Sequence, residues 1–265
     1  MRVSRLDEIE QYLNERRRAT IEELCEEFNV SKNTIRRDLD ELVSRGSAKK
    51  VYGGAVSLET RNTVSPDVTT LVSFQERMDR NADSKQLIAA LAATKVLDHS
   101  TIFVDSGSTT VNIVDHLKDS VDVTLITGSI AAINKAMNYP NINLIAFPGI
   151  LKRNTASLYG SAAVEFLETY NIDCAFMACT SISIKSGVCN SSVEEYYVKK
   201  AALRKSIHHY LLADSSKLGK TSLLTYADIN EFDSIITEKL PSKDFREYCS
   251  ERGCSILIAS PEIIR

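Results

Sequence analysis

Two stretches of this 265-residue chain carry residue types whose spacing could do chemistry. The first is Asp105-Ser106-Gly107-Ser108-Thr109-Thr110, which follows the apolar run Ile102-Phe103-Val104. Its hydroxyls stand beside a glycine that lets a ligand approach the backbone. Amides at the start of a following helix would form an anion nest, and that chemistry suits a phosphate monoester. The loop is not a Walker A sequence, because the Gly-Lys-Ser/Thr ending is missing. Thr127-Gly128-Ser129 offers a second small polar loop, and Asp214-Ser215-Ser216-Lys217 puts an acid and a cation after a third apolar run. Lys217 reads as a charge partner for a phosphate or a sugar hydroxyl network. The plainer alternatives are an ordinary turn and a solvated loop lysine.

The second stretch is Ser31-Lys32-Asn33-Thr34, followed by Arg36-Arg37. Asn and Lys can pair with base edges, and Thr offers a methyl to thymine. Arg36 and Arg37 either read guanine or clamp phosphate, and the spacing does not choose. Beyond them, Ser47 to Val56 reads as a β-ribbon with a Gly53-Gly54 turn. Lys49, Lys50 and Tyr52 would project from it toward a DNA backbone.

These residues need elements to place them. Leu6, Ile9 and Leu13 recur at helical spacing, and the helix ends in Arg16-Arg17-Arg18. Thr20 and Glu23 form a capping box for a second helix with Ile21, Leu24, Cys25 and Phe28 on its apolar face. Asn29 tolerates the left-handed conformation, and Ser31 caps a third helix carrying Ile35, Leu39, Leu42 and Val43. Two short helices joined by a tight turn are a helix-turn-helix, whose second helix enters the major groove. A winged helix-turn-helix is therefore expected over residues 1–57. A basic helical hairpin with a solvated face is the alternative.

Residues 58–73, with Pro66 and no helical period, read as a linker. From 74 to 265, short β-branched runs alternate with helical stretches. The strands are predicted at 101–104, 123–126, 142–147, 174–178, 210–213, 234–237 and 255–259. The helices are predicted at 85–96, 109–116, 130–137, 162–169 and 193–206. This alternation predicts an α/β domain with a mainly parallel sheet covered on both faces. Ligands of such sheets bind beyond the C-terminal strand ends, where the Asp105–Thr110 loop falls.

Composition sets the outer limits. Hydrophobic residues make up 43% of the chain, enough for a sizeable core, which excludes a disordered chain. The longest apolar stretches fall far short of the ~20 residues that span a bilayer. The acidic turn at the N-terminus opens no secretory signal, so a soluble cytoplasmic protein without a membrane partner is expected. Six cysteines contain no C-x-x-C and share no metal-ligand spacing with the four histidines. Reduced thiols, no metal and no cofactor are predicted. The net charge of −3 hides a local excess. From Ser31 to Tyr52, six cations stand against three acids, the footprint a nucleic-acid binder needs.

The segment Val30–Leu39, followed by Lys50-Val51-Tyr52-Gly53-Gly54-Ala55-Val56, resembles the DeoR family of bacterial transcription regulators. That family carries V-S-x-x-T-I-R-R-D-L and then R-V-H-G-G-A; here Lys50 replaces Arg and Tyr52 replaces His. The resemblance runs from about Arg5 to Leu240. It implies a sensor domain similar in fold to ribose-5-phosphate isomerase that binds a phosphorylated sugar or polyol. The matching positions are Lys85, Asp105–Thr110, Thr127-Gly128-Ser129, Gly149-Ile150, Asp173-Cys174-Ala175-Phe176 and Asp214–Lys217. Gly128 stands where the family has Asn. Ile150 stands for a second Gly and is expected to fill space open to a ligand. The implied function is that of a repressor of a carbohydrate-utilisation operon, acting as a homodimer or homotetramer on operator DNA.

The rival reading is a sugar-phosphate isomerase-like enzyme carrying a DNA-binding module. Those isomerases carry D-G-A-D-E where this chain has Asp173-Cys174-Ala175-Phe176-Met177. Losing the carboxylate removes the ~10²–10⁴-fold that acid/base catalysis supplies, so no enzyme activity is expected. A constitutive DNA-binding protein without a ligand is the third reading.

Overall fold

The structure is a computed structural model that describes residues 2–16, 18–45, 47–51, 54–57, 72–117 and 121–264. The chain divides into two units, Met1–Thr63 and Val64–Arg265. In the first, helix α1 (Arg2–Arg16) buries Leu6, Ile9 and Leu13. Strand β1 (Arg18–Thr20) leads into α2 (Ile21–Phe28) and α3 (Lys32–Ser44). The wing is β2 (Ala48–Val51) and β3 (Gly54–Ser57), and the antiparallel sheet runs β1-β3-β2. The basic run after α1 gave no hint of β1, which pairs across the far edge of β3.

The predicted caps form. Glu23 N–H donates to Thr20 Oγ1 at 3.2 Å, and Thr20 N–H donates to Glu23 Oε2 at 2.7 Å. Asn29 takes φ 49°, the left-handed conformation that ends α2. Ser31 Oγ accepts from Thr34 N–H at 3.3 Å and starts α3. Arg5 grips the buried Asp38 with Nε 2.9 Å from Oδ2 and Nη2 3.3 Å from Oδ1, which ties α1 to α3.

The second unit opens with α4 (Phe74–Asp79) and α5 (Ala82–Ala93). The chain then runs β4 (Thr101–Val104), a 3-10 helix (Thr110–His116), β5 (Val123–Thr127), α6 (Ile130–Ala136) and β6 (Ile142–Ala146). A hairpin of β7 (Ile150–Lys152) and β8 (Ser157–Tyr159) precedes α7 (Ser161–Glu168) and β9 (Ile172–Ala178). Next come β10 (Ser181–Ser183), β11 (Gly187–Asn190), α8 (Val193–Lys205) and β12 (Ser206–Leu212). Strand β13 (Leu224–Ala227), β14 (Ser234–Thr237), α9 (Lys243–Glu251) and β15 (Ser255–Ile258) complete it.

Among the described residues, seven strands form one parallel sheet in the order β15-β14-β12-β9-β4-β5-β6. These are the seven runs that the sequence marks as strands. Alternate residues of β9 point to opposite faces. Cys174 and Phe176 pack in the core shared with α5 and α6, while Ala175 and Met177 pack in the core shared with α7, α8 and α9. Both layers are apolar, as a covered parallel sheet requires. The short antiparallel strands β10, β11 and β13 form a separate sheet that the sequence does not announce. The six cysteines form no disulfide. No described helix is long and apolar enough to cross a membrane.

Candidate functional site

In the first unit, α3 turns Ile35, Asp38, Leu39 and Leu42 inward. Lys32, Asn33, Arg36 and Arg37 are exposed on its other side, and Thr34 is half-buried. Ser31 Oγ is engaged as the helix cap and also lies 3.0 Å from Thr34 Oγ1. Lys32 Nζ lies 2.5 Å from Glu22 on α2, and Lys50 Nζ lies 2.5 Å from Asp40 on α3. Exposed pairs of this kind contribute about 0–1 kcal/mol, so a polyanion can displace the acids. Lys49 and Lys50 do not project together as the sequence reading has it. Neighbours on a strand face opposite ways, and Lys50 turns toward α3 while Lys49 turns away. Tyr52 lies outside the described residues.

In the second unit, the loop after β4 meets the ends of β9 and β12. Asp105 is buried, and its carboxylate is fully engaged. Oδ1 accepts from Ser106 N–H at 2.8 Å, Oδ2 accepts from Ala178 N–H at 2.9 Å, and Lys199 Nζ forms a buried ion pair with Oδ2. Lys199 also donates to Ala178 O at 3.0 Å, and the Tyr226 hydroxyl donates to the same carbonyl at 2.9 Å. Asp105 therefore holds the loop to β9, and it offers a ligand little. Lys199 reads in sequence as an ordinary lysine of a helix, and no spacing marks it.

Gly107 is demanded by packing, since a Cβ there would stand 2.2 Å from Ala178 Cβ. Thr110 Oγ1 lies 2.7 Å from Asp105 O and 2.9 Å from Gly107 O, so it closes the turn. Ser106 is half-buried, and Ser108 and Thr109 are buried. Among the described residues, the N–H groups of Gly107, Ser108 and Thr109 make no hydrogen bond within the protein. The helix that follows is a short 3-10 helix, so the expected helix-terminus contribution is lost. The open loop amides remain.

Cations gather around this end of the sheet. Lys85 on α5 is buried, and its Nζ donates to Arg77 O. Burial lowers its pKa to about 8; Asp214 pulls it up, while Lys217, Arg77 and Arg80 push it down. Among the described residues, Lys217 Nζ has no hydrogen bond or ion pair within the protein. Burial raises the Cys179 thiol to about 12 against the pull of Lys217 and Lys199. Asp214 is buried and accepts from Ser216 N–H and Asn81 Nδ2, each at 3.1 Å.

Other predicted residues play framework parts. Thr127 Oγ1 donates to Val104 O at 2.7 Å and accepts from Ser129 N–H at 3.0 Å. Ser129 caps α6. A side chain at Gly128 would strike the Phe147 ring, 2.2 Å from its Cβ, so packing against that ring requires glycine here. Ile150 is 62% exposed at the start of β7. Asp173 does not join the site. It sits at the start of β9, about 16 Å of strand from Ala178 at ~3.3 Å per residue. Its Oδ2 accepts from Thr101 N–H at 2.7 Å, at the opposite end of the sheet from the loop. Arg77 on α4 and Glu195 on α8 belong to the cluster, and sequence reasoning misses Arg77 as a site residue. Helix α4 spans only Phe74–Asp79, too short for a periodic signal.

A winged helix-turn-helix head and an α/β unit with cations at the strand ends define a transcription regulator with a sensor domain. Residues 5–61 match the family described as DeoR-like helix-turn-helix domain, and residues 80–239 match the DeoR C terminal sensor domain. The HTH-type transcriptional regulator IolR of Bacillus subtilis (strain 168) is 39% identical over 259 residues, covering 98% of this chain and 100% of that protein. The HTH-type transcriptional repressor GlcR of the same organism is 30% identical over 258 residues, covering 97% and 96%. Ribose 5-phosphate isomerase A from Methanocaldococcus jannaschii overlaps 53% of this chain and 56% of that one at 22% identity and a TM-score of 0.40, too partial a likeness to carry weight. The chain belongs to the DeoR family of transcription regulators. It is a DNA-binding regulator, and both relatives are named as regulators, not enzymes.

Proposed function

We propose that the protein represses a carbohydrate-utilisation operon and is released from operator DNA by a phosphorylated sugar or polyol. Lys32, Asn33, Thr34, Arg36 and Arg37 face the DNA, with Lys50 and Tyr52 of the wing as backbone contacts. Homodimers or homotetramers set paired heads on the half-sites of a symmetric operator. Residues 58–73 link head to sensor. The effector phosphate sits against the amides of Gly107, Ser108 and Thr109, with Lys85, Ser106 and Lys217 as partners. Asp105, Thr110, Thr127, Gly128 and Ser129 shape that seat.

One observation carries this reading: unbonded loop amides follow Asp105, whose charge acts on Arg77, and Lys85 bonds to the Arg77 carbonyl while Lys217 acts on Lys85. Unbonded amides and the ammonium of Lys217, which has no ion pair among the described residues, suit a phosphate. The effector can shift the DNA-binding equilibrium only through its differential affinity for two states.

Thermal melting against phosphorylated sugars and polyols tests it. At a hundredfold excess over Kd, binding adds about 2.7 kcal/mol of stability. Ser108→Asp puts a carboxylate in the seat, so DNA binding should survive while the response to effector is lost. A full response in that variant would remove the loop from the site.

A further inference from the structure

Among the described residues, Arg77 Nε and Nη2 are shielded from solvent and have no hydrogen-bond partner. Buried donors are almost always paired. These two N–H groups share one edge of the guanidinium plane, and that edge matches two oxygens held side by side. Arg77 is also anchored where it stands. Its carbonyl accepts from Lys85 Nζ, and its guanidinium carbon lies 5.4 Å from the centre of the Phe74 ring.

The charges around this edge have both signs. Burial lowers the Arg77 pKa, while Glu195 and Asp105 pull it up. Asp105 is taken by Lys199 and two amides. Glu195 is half-buried; Oε1 accepts from Ser157 Oγ at 3.0 Å and Oε2 accepts from Asn190 Nδ2 at 3.1 Å. Each of its oxygens keeps a second lone pair. A second anionic group would be drawn by Arg77 and repelled by Glu195 and Asp105. Neighbouring hydroxyls meet no such conflict, since they accept from the guanidinium edge and donate to the carboxylate.

We propose that Arg77 and Glu195 form a subsite that reads a vicinal diol of the effector, beside the phosphate seat. This rests on the phosphate reading above and adds the chemistry of the rest of the ligand: a phosphate monoester with adjacent hydroxyls close to the phosphorylated end. Arg77 supplies two donors and Glu195 the acceptor. Both are specificity-determining residues.

Calorimetry on the full chain tests this. Ethyl phosphate supplies the anion without hydroxyls. Glycerol 3-phosphate, ribose 5-phosphate, glucose 6-phosphate and sorbitol 6-phosphate supply diols. The tightest diol phosphate should bind at least about tenfold better than ethyl phosphate, the effect of one hydrogen bond to a charged group. Arg77→Met and Glu195→Gln should each bring that ratio toward one and leave ethyl phosphate nearly unchanged. Should Arg77→Met fail to fold, Arg77→Lys keeps the charge without the fork and should lower the ratio too. An unchanged ratio in the folded Arg77 variant and in Glu195→Gln overturns the diol subsite and leaves the phosphate seat standing. Loss of ethyl phosphate and diol phosphate in equal measure overturns it as well, because Arg77 would then hold the phosphate. If no phosphate binds the native protein, the phosphate seat and the diol subsite both fall.

Discussion

The two units use positive charge in opposite ways. The head keeps Lys32, Arg36, Arg37 and Lys50 on its surface, and two of them rest on exposed acids. The sensor draws Lys85 and Lys199 inside and sets Lys199 against a buried carboxylate. An exposed cation is weakly held and can be handed to any polyanion, with strong salt dependence. A buried cation must be paired or neutralised, so it fixes geometry and selects its partner. The difference suits a large, uniformly charged DNA on one side and a small, shaped effector on the other.

The sharpest way to break this contrast is Lys199→Met. It leaves Asp105 buried without its cation, and the sensor should lose about 3–5 kcal/mol in urea denaturation. Adding Asp105→Asn should recover part of that loss. A change below about 1 kcal/mol would mean that the pair is as loosely held as those of the head.

In the head, Arg36→Ala or Arg37→Ala should weaken operator binding by about 1–3 kcal/mol if the side chain reads a base. A loss equal on all sequences, with a salt slope shallower by about one, would assign that arginine to a phosphate. Titrations on operator and on unrelated DNA separate the two outcomes.

The pH dependence of effector affinity sharpens the sensor side. Lys85 has a folded pKa of about 8, below its ordinary value. A phosphate beside it stabilises the charged form, so binding takes up a proton above that pH. Phosphate esters have a second pKa of about 6, so above pH 7 the ligand charge is constant. Affinity should be level from pH 7 to 8 and then fall, toward about tenfold per unit. Level affinity up to pH 9.5 would separate Lys85 from the phosphate. The depressed pKa also sets the sign for folding. The unfolded chain binds more protons between the two pKa values, so stability rises with pH from about 8.

The smallest effect belongs to Asp40→Asn, which removes the acid from Lys50. Melting should not move measurably, while non-specific DNA affinity at low salt should rise by about two- to threefold. Lower stability with unchanged DNA binding would turn Lys50 into a framework residue.

Much of the fold is legible in the order of residues. Thr20 with Glu23, Asn29 and Ser31 act within a few residues of chain, so capping chemistry reads directly from spacing. The seven main strands are legible because their β-branched runs are buried on both faces. Strands of three residues such as β1, β7 and β10 carry no such run. The loop after β4 is legible as a place; the duties of its residues are not. Asp105 and Thr110 look like ligand groups in sequence and serve the framework in space.

The sequence by itself determined the helix-turn-helix, the seven strands of the main sheet and the position of the small polar loops, all consequences of local spacing and period. Only the tertiary structure decided which charges meet. Lys199 joins Asp105 across 94 residues of chain. Glu195 reaches the surroundings of Arg77 from another helix. Asp173 is carried to the wrong end of the sheet. Partners so distant in sequence leave no periodic trace, because burial and strand order, not spacing, bring them together.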